Sequence, residues 1–93
     1  MNVIMEMYSG VDDNPNGSIN VTTYFEGVAS PQRILVFDRF SGDIVASGKS
    51  KEDGTFRRYV GNIYTDERKV MVVTLDDTAT YNAEIADHVN SVI

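Results

Sequence analysis

Cysteine is absent from this chain of 93 residues. No disulfide framework props up its core, and no thiolate chemistry is open to it. Histidine occurs once, at His88, so a zinc site would have to recruit carboxylates for its remaining ligands. No stretch approaches the roughly 18 apolar residues of a membrane span. The P-loop, the dinucleotide fingerprint and the nucleophile elbow G-x-S-x-G are all missing. Basic residues are missing from both ends. All eight lie between Arg33 and Lys69, whereas the segments before and after carry four acidic residues each. The net charge of −6 argues against general nucleic-acid binding, which needs a basic face to displace counterions. The opening Met1-Asn2-Val3-Ile4-Met5-Glu6 has neither a basic n-region nor a long apolar run, so no secretory signal is expected and the chain reads as soluble.

What is present is β-structure punctuated by turns. With 42% hydrophobic and 24% charged residues the composition is globular, and the length suits one domain spanning 1–93. Met1 to Tyr8 reads as a short first strand and Ser9 to Gly17 as a loop. From Ser18 to Ala29, Ile19, Val21, Thr23 and Phe25 alternate with Asn20, Thr22, Tyr24 and Glu26, which predicts a half-buried strand, broken by Gly27 and Pro31. Ile34-Leu35-Val36-Phe37 is apolar at successive positions and suits a central strand covered on both faces. Ser41-Gly42 and Asp53-Gly54 supply turn residues on either side of Ile44 to Ser47, before a strand from Thr55 to Val60. Lys69 to Leu75 is a β-branched run. Tyr81 to Val89 fits strand alternation and also one helical face, and the strand is preferred because the rest of the chain is β. The expected fold is all-β, a two-sheet antiparallel sandwich of about seven strands, Ig-like or transthyretin-like. Its expected core is Ile19, Val21, Phe25, Ile34, Val36, Val45, Phe56, Val60, Val70, Val72 and Ile85.

The order I-L-V-F-D-R-F-S-G-D, then D-G-T-F, then V-V-T-L-D-D resembles the prealbumin-like sandwiches labelled carboxypeptidase regulatory-like or Cna-B-like domains. The pairing of V-F-D-R-x-S-G with L-D-D and Y-N-A-x-I-A-D-x-V is similar to small β-sandwich domains of tailed-bacteriophage virion and tail proteins. That resemblance implies a virion-associated structural role and carries over no catalytic residue. Transthyretin-like hydrolases use several histidines and a Tyr-Arg-Gly-Ser ending, which a chain with one histidine ending Ser91-Val92-Ile93 lacks.

Three constellations remain. Asp12, Asn14, Asn16 and Gly17 form D-x-N-x-N-G, the opening of a calcium loop. Position twelve would be Thr23 where a bidentate Glu is needed, so an Asx-rich turn is the preferred reading and no cofactor is expected. Asp76-Asp77 reads as turn chemistry, and Asn82 and Asp87 as short side chains that hold bends. Lys49, Lys51, Arg57 and Arg58 make a cationic strip whose first reading is protection of a strand edge. The expected function is a non-enzymatic structural or accessory protein of a phage virion. It would bind a larger capsid, neck or tail protein, in several copies or as a homo-oligomer, without nucleic acid or membrane. The expected contacts are Val3, Met5 and Met7 at one end and Tyr81, Asn82, Ile85, Val89 and Val92 at the other. The alternative is a glycan- or surface-polymer-binding module that stacks sugars on its tyrosines, Tyr8, Tyr24, Tyr59, Tyr64 and Tyr81.

Overall fold

A computed structural model of the chain describes residues 3–7, 17–61, 64–65, 67–78 and 80–91. Two antiparallel sheets form an open sandwich. Sheet I places β1 (Val3–Met7) on one side of β2 (Ser18–Phe25), and β6 (Thr55–Tyr59) and the two-residue β3 (Val28–Ala29) end to end on the other. Sheet II has the order β5 (Ile44–Lys49), β4 (Arg33–Asp38), β7 (Val70–Leu75), β8 (Glu84–Val89). The connection from β5 to β6 crosses between sheets, and β1 lies against β7 and β8 on the opposite flank. The tail is therefore strand, as the β-rich chain predicts.

Alternation decides what is buried. Ile19, Val21 and Phe56 of sheet I meet Ile34, Val36, Val70 and Val72 of sheet II, and each is buried. Burying such a side chain is worth roughly 1.5–3 kcal/mol. Val45 and Val60 are half-buried against this cluster, while Phe25 sits at its rim. Tyr64, which sequence alone did not place, is buried and donates its hydroxyl to Asp38 Oδ2 at 3.0 Å.

Where β6 hands over to β3, a polar knot replaces the ladder. The Thr23 N–H donates to the Gly54 carbonyl at 2.8 Å, and the Ser30 N–H to the Thr23 carbonyl at 3.0 Å. The Thr23 hydroxyl lies 2.6 Å from that of Ser50, which accepts from the Gln32 N–H at 2.7 Å. Buried polar groups need such partners.

The run from Ser18 to Ala29 breaks at Gly27, as expected: Glu26 (φ 51) and Gly27 (φ 84) both take positive φ, the geometry of a tight hairpin turn, and split it into β2 and β3. Three expectations are corrected. Asn20 faces away from the core yet is buried, because Arg57 opposite it donates to its Oδ1 at 2.8 Å. β4 is central in its sheet but fully covered on one face only, leaving Leu35 and Phe37 half-buried. Ile85 is not core. A bulge opposite Met71 inserts Asp87 and His88 (φ 55), so Ala86 and Val89 both pack inward and Ile85 points outward, 60% exposed.

Candidate functional site

The exposure of Ile85 belongs to a larger pattern on the outer face of sheet II. Ile34, Val36, Val70, Val72 and Thr74 occupy the inner face, so the intervening positions turn outward, and most of these are apolar too. The register aligns them in rows. Leu35 lies beside Val73, which lies beside Ile85; Phe37 lies between Ile44 and Met71; Arg33 lies between Lys49 and Leu75. Val73 is nearly buried although it stands outside the core cluster, because these outward neighbours surround it. Ile44 is 57% exposed, and Phe40, in the turn between β4 and β5, is 70% exposed.

Two ion pairs bracket this apolar face. Arg33 meets Asp77 at 3.1 Å at one end. At the other, Arg39 Nε meets Asp87 Oδ1 at 2.7 Å, and this bond holds the Asp87 carboxyl below the usual carboxylate range. The arrangement is an apolar centre with a charged rim.

A second surface opens on the flank between β5 and β6. Lys49, Lys51, Thr55, Phe56, Arg57 and Arg58 line a groove of about 440 Å³ there. The cationic strip of the sequence is thus assembled from both sheets. The Arg58 guanidinium lies 4.6 Å over the Phe56 ring and donates to the Arg57 carbonyl at 2.9 Å. Gly48 leaves room for it, since a Cβ there would stand 2.7 Å from Arg58 Nη2.

The remaining residues singled out by sequence are dispersed. Val3, Met5 and Met7 lie in β1, paired along β2 at the edge of sheet I. Tyr81 packs edge-to-face on Phe25, with centroids 5.5 Å apart. Asn82 is exposed just before β8, Val89 turns inward, and Val92 lies outside the described residues. Asp12, Asn14 and Asn16 also lie outside them, as does Tyr8. Among the described residues, no group of three or more histidines or carboxylates is placed to hold a metal ion. Asp76 accepts from the Thr78 hydroxyl and from the N–H groups of Tyr81, Thr78 and Thr80 at 2.6–2.9 Å, which lowers its pKa. That is the turn chemistry expected. His88 is exposed beside Asp87, 3.8 Å from Nδ1 to Oδ2. The four described tyrosines do not converge: Tyr64 is buried, Tyr81 sits on Phe25, and Tyr24 and Tyr59 lie near opposite ends of the pairing between β2 and its neighbours.

The residues that sequence reasoning missed are Leu35, Phe37, Met71, Val73 and Leu75. Their signal was present, since continuous apolar runs mark strands covered on both faces. The covering layer on the second face is not supplied by the described residues. No known protein family, curated protein or solved structure matches the chain.

Proposed function

We propose that this domain is a non-enzymatic docking module that seats on a larger protein through the outer face of sheet II. The observation that carries the reading is the apolar surface of Leu35, Phe37, Ile44, Met71 and Ile85, laid across four paired strands around the nearly buried Val73 and bracketed by ion pairs. A monomer in water gains nothing by presenting such a surface, and a protein partner of matching apolar shape recovers its burial energy. The likeness of V-F-D-R-x-S-G and Y-N-A-x-I-A-D-x-V to phage sandwich domains supplies the setting: an accessory subunit of a tailed-phage particle, on its capsid, neck or tail.

The test is binding to purified particles by a double variant, Ile85→Lys with Phe40→Ser. Both positions are exposed, so the fold and melting temperature stay as they are. The expected result is loss of particle association. Undiminished association at unchanged stability would remove the face from the binding role. Concentration-dependent sedimentation abolished by the same variant would reassign the partner as a second copy of the chain.

A further inference from the structure

We propose that the flank between β5 and β6 is a second binding site, which takes an extended, carboxylate-rich segment of another protein as an added strand along β6. Two observations meet there.

The first is open backbone. The antiparallel ladder turns alternate residues of β6 away from β2, and the bonds show which ones. The Thr55 carbonyl accepts from the Lys51 N–H at 2.9 Å and its N–H donates to Asp53 Oδ1 at 3.0 Å, so Thr55 faces outward and is already satisfied. Arg57 and Tyr59 follow on the same edge. Among the described residues, the Arg57 carbonyl is held only by the neighbouring Arg58 side chain, a bond that an incoming strand's N–H can replace.

The second is charge. Lys49, Lys51, Arg57 and Arg58 all contribute to the lining of the groove. Among the described residues, none of these four lies within ion-pair distance of a carboxylate, whereas Arg33, Arg39 and Lys69 each have one. A segment lying in the groove meets a cationic lining, which favours acidic side chains on the strand that enters it.

The probe is a short synthetic peptide of alternating glutamate and valine, fluorescently labelled and titrated with the full chain. The variant is Lys49→Glu with Lys51→Glu, because both side chains are solvent-exposed and neither supports the core. Arg57 is left in place because it satisfies the buried Asn20. The expected result is saturable binding, weakened at least about tenfold in the variant and by raising salt from about 0.05 to about 0.5 M. Amide exchange at Arg57 and Tyr59 slows in the complex. The proposal is overturned if the peptide fails to bind up to about 1 mM, for the lysines then only guard the edge. Binding that survives the charge reversal, or leaves exchange at Arg57 and Tyr59 unchanged, overturns it too. So does tighter binding of polyphosphate or an oligonucleotide than of the peptide.

Discussion

Gly54 is where one residue decides whether the sheets can be joined. Its φ of +84 lies in the left-handed region, and a Cβ there would stand 2.5 Å from the Thr23 carbonyl oxygen, which also receives the Ser30 N–H. Both the strain and the clash fall on backbone, so Gly54→Ala should cost at least about 2 kcal/mol. Urea denaturation checks this, and a loss under half that would mean the corner relaxes more easily than its contacts imply. Thr74 predicts the opposite sign. Its side chain is fully buried on the inner face, and its hydroxyl has no hydrogen-bond partner among the described residues. Thr74→Val keeps the shape and removes an unsatisfied oxygen, so stability should rise by about 1 kcal/mol, read as a higher midpoint in the same titration. Neither residue could be assigned this role by sequence. Asp53-Gly54 announces a turn, but only the approach of β2 shows how little room it has.

Turns and bulges between strands are held by carboxylates, and this sets an acid limit. Asp38 accepts from the Ser41 and Phe40 N–H groups, Asp53 from the Thr55 hydroxyl and N–H, Asp76 from Thr78, Tyr81 and Thr80, and Asp87 from Arg39 and the His88 N–H. All four carboxyls are pulled below their ordinary value of 3.8. A depressed folded pKa contributes stability that is complete above the unfolded value and lost as pH falls through the folded one. The melting temperature should therefore hold level from about pH 7 to about pH 5 and drop below about pH 4. Asp76→Asn should lower the neutral melting temperature and make the acid drop shallower; an unchanged drop would exclude Asp76 as a contributor. At this scale most of the fold was legible. The turn residues Ser41-Gly42 and Asp53-Gly54, the alternation of Ile19 and Val21, and the β-branched run at Val70 each produced the element expected. Ile85 was not legible, because the bulge at Asp87 and His88 flips the phase of β8 through cross-strand register that one strand's sequence does not contain. The break at Gly27 was legible, but the return of the chain onto β2 was not, since Glu26 is a poor residue for positive φ.

In the whole molecule, the two flanks and the outer face of sheet II are distinct environments. The flank of β1 and β8 joins the sheets, that of β5 and β6 is open and cationic, and the face of β4, β7 and β8 is apolar. The candidate site was only half visible beforehand. Ile85 was named among the contacts from its place in the late motif, and Leu35, Phe37 and Val73 were passed over as interior residues because a run covered by a partner looks, in sequence, like a run covered by its own fold. The most direct measurement is quantitative mass spectrometry of gradient-purified particles from the chain's source, comparing the native sequence with Ile85→Lys, Phe40→Ser. The docking account predicts a fixed, integer-like ratio to the major structural protein for the native chain and near-complete loss for the variant, with melting temperatures unchanged. Absence of the native chain from particles, or an equal ratio for both sequences, would contradict it.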